Sequence, residues 1–289
     1  MTAENAQEPS LKKTIVFVDN DRFFLEAMTD LLSEKGFVVR TAQDGLEALS
    51  VIREVVPDYI LLDIVIPKID GGRVCAAVRQ DDRLRHIPII AFSGLSPQDY
   101  RLFPDLKADA YIAKGPLPIA IENILKVISQ FEGGGRDTAE GQVLGYDNFR
   151  PRQIVNELLL ERRHLAAILR AFGLGVLELN RDGRIVMANP SACEILGKKE
   201  GQMVGELFSS LFPLPHREGV QELLTELVRT PEPGHFRTAL RLGDIEVPIR
   251  LASIVEEKEC SGLLVTLEGA ESQSGPPGTD TPPKRVLFG

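Results

Sequence analysis

Residues that commonly bind transition metals are scarce in this chain. Its 289 residues include three cysteines, four histidines and no tryptophan. Cys75, Cys193 and Cys260 are far apart, without a Cys-x-x-Cys pair, and the histidines show no metal-ligand spacing. The sequence therefore argues against a cysteine–histidine metal centre, and scattered single cysteines fit a reduced cytoplasm, which is the predicted compartment.

Long apolar runs and a surplus of positive charge are also missing. No stretch of about 18 apolar residues occurs, so the sequence predicts neither a membrane span nor a secretion signal. The chain has 33 Lys and Arg residues against 42 Asp and Glu residues, for a formal charge of −9. This balance disfavours a general nucleic-acid binder. Neither a P-loop nor a recognisable output-enzyme motif is present.

The residue patterns divide the chain into six segments. Two segments alternate strand-like and helix-like runs, a third has apolar residues near heptad spacing, and the others are polar or rich in Gly, Pro and Ser. The predicted segments are a flexible N-terminus (1–11), a first domain (12–131), a Gly-rich linker (132–150), a coiled-coil-like linker helix (151–172), a second domain (173–269) and a disordered tail (270–289).

The first domain alternates five short apolar runs with amphipathic segments. Runs such as TIVFVD and DYILLDIV, separated by helical patterns, predict an α/β fold with a doubly wound, five-stranded parallel sheet. The first helical segment carries apolar residues on one side and ends at Gly36, a residue type that commonly terminates helices.

Polar and charged residues follow four of these five strands. Asp19, Asn20 and Asp21 come after the first strand, Asp63 after the third, Ser93 after the fourth and Lys114 after the fifth. Because ligands of parallel sheets bind outside the carboxyl ends of the strands, we expect these residues to converge on one crevice. Clustered carboxylates favour Mg²⁺, and an aspartate can itself accept a phosphoryl group.

Residues 13–130 resemble the receiver domain of bacterial two-component response regulators. The resemblance rests on VDND after the first strand, on LLDIVIP around Asp63, on Ser93-Gly94, on Lys114 and on Tyr111 three residues before it. It implies phosphotransfer from a sensor histidine kinase to Asp63, the phosphoacceptor, with Lys114 and Ser93 as the other catalytic residues. It also implies a Mg²⁺ ion held by Asp19, Asn20, Asp63 and the Val65 carbonyl, and a conformational switch at Ser93 and Tyr111.

Two positions depart from the receiver pattern. Asn20 replaces the second acid, so the metal loses a charged ligand, although an amide oxygen can coordinate and Asp21 is a possible substitute. Gly115 separates Lys114 from Pro116, whereas proline usually follows the lysine directly in the family. A pseudo-receiver, which keeps the fold without being phosphorylated, is therefore the alternative interpretation of this domain.

Residues 173–269 resemble a PAS domain. The sequence LELNRDGRIVMANPSACEILG contains Asp182-Gly183, a strong hairpin signal, and leads through Asn189 to a short helix ending at Gly197. GELFSSLFP matches a second family stretch. The resemblance implies an α+β fold with a five-stranded antiparallel sheet, and dimerisation, small-ligand sensing or both; no cofactor-binding residue is predicted here.

Taken together, these patterns predict a response regulator that accepts phosphate on Asp63 and relays the signal through a PAS dimerisation and interaction module. The expected partners are a sensor histidine kinase, a second copy bound through the linker helix and PAS domain, and an unknown downstream protein. The only catalysis expected is the chain's own phosphorylation and dephosphorylation. The alternatives are a pseudo-receiver adaptor, a PAS ligand sensor with the receiver as modulator, and a DNA-binding regulator with a helix-turn-helix within residues 190–229.

Overall fold

The computed structural model describes residues 12–94, 106–134, 143–144, 168, 174–230, 236–242, 245–256 and 259–268. The chain divides into two compact units, Met1–Gln153 and Ile154–Gly289. The predictions for the N-terminus, for most of the two linker segments and for the C-terminal tail lie outside the described residues.

The first unit contains one parallel sheet, and helices connect four of its five pairs of successive strands in the described residues. Its strands are β1 (Thr14–Val18), β2 (Val38–Ala42), β3 (Tyr59–Leu62), β4 (Ile89–Ser93), β5 (Ala110–Ala113) and β6 (Val143–Leu144). Its helices are α1 (Arg22–Glu34), α2 (Gly45–Val55), α3 (Gly71–Gln80) and α4 (Leu117–Glu132). The strand order β2-β1-β3-β4-β5-β6, with every neighbouring pair parallel, confirms the predicted doubly wound α/β class.

The central strands are apolar because helices cover both faces of the sheet. All four residues of β3 and all five of β4 are buried. A continuous apolar run is the usual signature of such a strand, since alternation appears only where one face is open to water. Phe17, Leu61 and Phe92 belong to the hydrophobic core on one face, together with Leu25 and Met28 of α1.

Helix α1 is capped by an aspartate at its start and is followed by a glycine at its end. The side chain of Asp21 accepts a hydrogen bond from the N–H of Phe24 (3.2 Å) and caps the first turn. The last helical residue is Glu34, Lys35 is the C-cap, and Gly36 follows with a φ of +92°, a conformation that glycine adopts without steric strain. The predicted end at Gly36 is confirmed.

The sheet has one strand more than the five predicted. Val143 and Leu144 pair in parallel with Tyr111 and Ile112 and form β6 inside the segment assigned to the Gly-rich linker. Leu144 is partly buried against the hydrophobic core of the first unit. A two-residue strand is too short to show a periodic pattern of apolar residues, and the residues around it are rich in glycine. The sequence alone therefore predicts a linker there.

The second unit contains a five-stranded antiparallel sheet. Its strands are β7 (Gly175–Leu179), β8 (Ile185–Ala188), β9 (Phe236–Leu242), β10 (Ile245–Glu256) and β11 (Glu259–Leu267). Between β8 and β9 lie α5 (Pro190–Leu196), α6 (Glu200–Met203), a 3₁₀ helix (Phe208–Leu211) and α7 (Leu214–Arg229). The order β8-β7-β11-β10-β9 confirms the predicted α+β architecture.

The predicted hairpin around Asp182-Gly183 joins β7 and β8. The side-chain oxygen of Asn180 accepts hydrogen bonds from the N–H groups of Asp182 (3.0 Å) and Arg184 (2.8 Å). Gly183 has a φ of +76°, which the tight turn requires. Asn180 therefore supplies the hydrogen bonds that hold this turn, and the turn sets the register of the two strands.

Two further features bear on the exclusions drawn from the sequence. All three cysteines are free thiols, and burial raises the pKa of Cys75 to about 12. None of the helices in the described ranges has the length and apolar character that crossing a bilayer demands.

Candidate functional site

Backbone hydrogen bonds hold the carboxyl ends of the strands side by side. They run from the N–H of Asp19 to the Ala42 carbonyl (3.0 Å), of Asp63 to the Val18 carbonyl (3.0 Å) and of Lys114 to the Ser93 carbonyl (2.9 Å). Each bond continues a strand ladder by one residue. The backbone therefore fixes the positions from which these polar side chains extend.

Lys114 joins the two buried acids. Its ammonium nitrogen lies 2.6 Å from Oδ2 of Asp19 and 2.6 Å from Oδ2 of Asp63. Asp19 is fully buried and Asp63 is 5% exposed, whereas the Lys114 side chain retains 23% of its exposure. The predicted convergence of Asp19, Asp63 and Lys114 is thus present, with the lysine at the solvent side.

The electrostatics of the site follow from burial and from these contacts. Burial raises the pKa of the Asp19 carboxyl above its usual value, and the nearby Asp63 raises it as well, while Lys114 opposes both. Burial alone would lower the pKa of Lys114, but the attraction of Asp63 and Asp19 outweighs it, so the pKa is raised. Lys114 therefore remains an ammonium at neutral pH.

Ser93 and Tyr111 lie on adjacent strands, β4 and β5. The Ser93 hydroxyl is buried and has no hydrogen-bond partner among the residues that the structure describes, which is unusual for a buried polar group. The Tyr111 side chain is half-buried, and its hydroxyl donates a hydrogen bond to the Leu106 carbonyl (3.2 Å). An unsatisfied hydroxyl at the end of a strand can accommodate an incoming oxygen-rich group without losing an existing bond.

The residues predicted to hold Mg²⁺ differ in their surroundings. Asn20 and Asp21 are exposed, and Asp21 is engaged in capping α1. The N–H of Asp21 donates to Oδ1 of Asp19 (3.0 Å), and the N–H of Val65 donates to Oδ1 of Asp63 (3.2 Å). Both buried carboxylates are therefore oriented by the chain itself.

The donor set fits a hard divalent cation. Oδ2 of Asp19 is buried without a well-aligned donor, although the Lys114 ammonium lies 2.6 Å away. The crevice thus brings two carboxyl groups and one ammonium together. Among the described residues no three Asp, Glu, His or Cys side chains gather to hold a metal on their own. In proteins, Mg²⁺ is commonly bound by one or two carboxylates, and water and phosphate oxygens complete its coordination.

The loop after Asp63 is fixed by close backbone packing. A Cβ atom on Gly71 would lie 2.6 Å from the Asp63 carbonyl oxygen, and one on Gly45 would overlap the backbone of Ile69. Lys68, which has a φ of +62°, forms a 2.6 Å ion pair with Asp44 across the same loop. Two glycines and one ion pair thus determine where Asp63 lies relative to α2 and α3.

Sequence reasoning missed two contributors to this site. No role is assigned to Gly71 from the sequence, although its lack of a side chain is what permits the approach to Asp63. Phe24 lies on the apolar side of α1 and packs against the core, but Lys114 Nζ also lies 5.4 Å from the centre of its ring. The pair Asp70-Gly71 at the start of a helix is a sequence signal from which the role of Gly71 could be predicted. No sequence pattern indicates a contact between Phe24 and Lys114.

Comparison with known proteins identifies the family to which the first unit is similar. The family model described as the response regulator receiver domain matches residues 15–129. The chain is similar to the polar-differentiation response regulator DivK of Brucella anthropi, with 32% identity over 124 residues, or 43% of this chain and 98% of DivK. DivK of Brucella ovis is 31% identical over the same shares. Among solved structures, the response regulator TrrA of Thermotoga maritima in complex with Mg(2+)-BeF is 27% identical, with a TM-score of 0.37, covering 41% of this chain and 97% of TrrA.

A second family model, described as the PAS fold, matches residues 169–265. It overlaps the antiparallel sheet and the helices α5 to α7. The chain therefore belongs to the response regulator family of two-component signal transduction, with a receiver domain followed by a PAS domain.

Proposed function

We propose that Asp63 is the phosphoacceptor of this response regulator and receives its phosphoryl group from a phosphohistidine of a sensor histidine kinase. The observation that carries the proposal is the position of Lys114, 2.6 Å from both Asp19 and Asp63 at the carboxyl edge of the sheet. A buried acid pair with a shared cation has little value for stability alone, because burying charges costs more than their attraction commonly returns.

The proposed reaction is a phosphoryl transfer between two side chains. An oxygen of the Asp63 carboxylate attacks phosphorus and forms an O–P bond, while the P–N bond to the kinase histidine breaks. The histidine nitrogen keeps the bonding electron pair and takes up a proton. Lys114 stabilises the negative charge on the transferred oxygens, and the unpaired Ser93 hydroxyl donates a hydrogen bond to one of them.

Asp19, Asp63 and the Val65 carbonyl would hold Mg²⁺, with Asn20 as a neutral ligand. When bound, Mg²⁺ neutralises charge on the phosphoryl oxygens during transfer. Asp21 is the weaker candidate for a ligand because its carboxylate caps α1. The chain's own contribution is to orient the two buried carboxylates through the N–H groups of Asp21 and Val65.

The relay from the receiver to the rest of the chain is proposed to run through β5 and β6. Tyr111, the predicted switch residue, is paired with Val143 on β6, and β6 belongs to the segment that leads towards the PAS domain. A change in the Tyr111 side chain would act on the strand that holds this segment. The proposed coupling therefore starts at the pairing of β5 with β6.

For the PAS domain we favour dimerisation and protein interaction over ligand sensing. The inner face of its sheet is filled by side chains such as Leu177, Ile185, Leu251 and Leu263, which are almost completely buried. The segment considered for a helix-turn-helix forms α5, α6, the 3₁₀ helix and α7 instead, and Ala192, Met203 and Leu224 of these helices belong to the same core. This packing favours neither a DNA-binding motif nor a large ligand cavity.

The test is intact mass spectrometry after incubation with acetyl phosphate and Mg²⁺. We expect wild type to gain one phosphoryl group, Asp63→Asn to gain none, and Asp30→Asn, a substitution at an exposed position of α1, to behave as wild type. If wild type gains no phosphate, the pseudo-receiver alternative replaces the proposal. If Asp63→Asn gains as much as wild type, the acceptor is another residue.

A second measurement addresses the PAS domain. Sedimentation of the full chain is expected to show a dimer in the micromolar range, with and without phosphorylation. A monomer at all concentrations would reject dimerisation, and a metabolite found in the purified chain by native mass spectrometry would favour the sensor alternative.

A further inference from the structure

The Lys114 ammonium has a third neighbour besides the two acids. It lies 5.4 Å from the centre of the Phe24 ring, within the range at which an aromatic face attracts a cation. Phe24 is half-buried in the first turn of α1, and its neighbour Phe23 is 77% exposed. The ring therefore forms one wall of the crevice that holds Lys114.

The Phe24 ring is itself firmly held. It stacks on Phe92 at a centroid distance of 5.6 Å and an interplanar angle of 19°, and it meets the edge of Phe17 at 6.1 Å. Phe92 immediately precedes Ser93, and Phe17 lies two residues before Asp19. The N–H of Phe24 is also bound by the capping carboxylate of Asp21. The same strands that present the polar residues thus fix the ring.

The Phe24 ring, unlike the two acids, keeps its interaction with the Lys114 ammonium during the proposed reaction. Lys114 contacts the Oδ2 atoms of both acids, which are oxygens that a cation or a phosphoryl group would also use. Once these oxygens are occupied, the ammonium loses part of its attraction to them. The aromatic face neither binds a metal nor accepts phosphate, so its attraction for the ammonium persists.

We propose that Phe24 is a positioning residue whose ring face keeps the Lys114 ammonium over the crevice while Asp63 accepts the phosphoryl group. This inference rests on the proposed function of Asp63. It assigns to Phe24 an electrostatic role, from the negative face of the ring, in addition to its apolar packing. An aliphatic side chain of similar size would supply the packing alone.

The test separates the charge of the ring face from its bulk. Phenylalanines carrying one, two or three ring fluorines, introduced at position 24 of the full chain, weaken the negative ring face with little change in size. We expect the rate of phosphorylation by acetyl phosphate at saturating Mg²⁺ to fall stepwise along this series. Phe24→Leu should be slower by about fivefold, while Phe24→Tyr, which keeps an electron-rich ring, should retain most of the rate.

Phe23 is the matched control, since the same series at this exposed neighbour should leave the rate unchanged. A second readout is the proton chemical shift of the Lys114 ε-methylene group, which ring currents move upfield in wild type but not in Phe24→Leu. We expect this difference to persist after addition of Mg²⁺ and beryllium fluoride.

The outcomes are distinguishable. Phosphorylation of wild type with equal rates across the position-24 series would overturn the inference alone. A lost upfield shift on addition of Mg²⁺ and beryllium fluoride would also overturn it, because the ammonium would then have left the ring. Failure of wild type to accept phosphate would overturn the proposed function and, with it, the role of Phe24.

Discussion

At the scale of single residues, Asp19 lowers the stability of the fold while it serves the proposed function. Its side chain is fully buried, and burial is the main reason why its pKa is raised. A carboxyl group whose pKa is higher in the folded state destabilises the fold once the pH lies above that pKa. This destabilisation is relieved as the pH falls through the raised pKa and the group takes up a proton. The acid is retained at a cost in stability, as expected for a functional ligand.

Asp19→Asn is therefore expected to stabilise the metal-free chain at neutral pH by about 1 kcal/mol, because a neutral amide replaces a buried charge while Lys114 keeps Asp63. Thermal unfolding of the receiver measures this gain, which should shrink at acid pH. The same substitution should remove most of the response to Mg²⁺. Asp70→Asn is the control, since asparagine caps α3 as well as aspartate does. A less stable Asp19→Asn chain would show that the ion pair outweighs the burial.

The convergence of the polar residues was predictable because the rule for parallel sheets depends only on where each strand ends. Asp19, Asp63, Ser93 and Lys114 each follow an apolar run, and the alternation of strands and helices orders these runs in one direction. Phe24 could not be found in this way. Its contact with Lys114 joins residues that are 90 positions apart in the sequence. The contact also depends on the rotation of α1 about its axis, and the apolar pattern shows only which face of the helix is buried.

At the scale of elements, the connection between β3 and α3 determines the position of Asp63. Gly71 is the first residue of α3, and an added Cβ would lie 2.6 Å from the Asp63 carbonyl oxygen and 2.8 Å from Cα of Ile64. Both neighbours are backbone atoms, which cannot yield by changing a rotamer. A side chain at this position must therefore move either the start of the helix or Asp63.

Gly71→Ala is expected to lower the free energy of unfolding by about 2 kcal/mol and to slow phosphorylation of Asp63. Gly115→Ala is the matched control beside Lys114, because the nearest atom to its added Cβ is 4.0 Å away. It should be neutral or slightly stabilising, since alanine restricts the unfolded chain. Chemical denaturation measures the free energy of unfolding of both variants, and phosphorylation kinetics measure the reactivity of Asp63. Equal behaviour of the two would mean that the loop yields easily.

The elements with a clear residue pattern were predicted well, and the two-residue strand β6 was not. The apolar runs of β1, β3 and β4 and the amphipathic pattern of α1 extend over enough residues for periodicity to be decisive. Strand β6 has only two residues, and its existence depends on the free edge of β5, which is a property of the folded sheet. Local sequence contains no information about such an edge.

At the scale of the whole molecule, the chain has two separate cores of different construction. The receiver core is built from a parallel sheet and the residues of α1 and α4, whereas the PAS core lies on one face of an antiparallel sheet. Each unit has its own sheet, and no strand of one sheet pairs with the other among the described residues. Separate cores favour separate unfolding transitions, because residues that are buried in the same core unfold cooperatively.

Calorimetry of the full chain is therefore expected to show two transitions, of which only one responds to ligand binding at the proposed phosphorylation site. Mg²⁺ with beryllium fluoride should raise the receiver transition, by about 2.7 kcal/mol at one hundred times the dissociation constant. The transitions can be assigned with two substitutions. Arg79→Ala, which removes a 2.6 Å ion pair to Asp109, should lower the receiver transition, and Gly262→Ala, which crowds the Leu179 carbonyl, should lower the PAS transition.

Asp63→Asn should abolish the shift caused by Mg²⁺ and beryllium fluoride without merging the two transitions. The response of the second transition is the informative quantity. If it stays in place, ligand binding at the receiver leaves the stability of the PAS core unchanged, as expected for two separate cores. If both transitions rise together in wild type and neither rises in Asp63→Asn, the two domains unfold as one unit, and the energy of the phosphorylation site is shared between both cores.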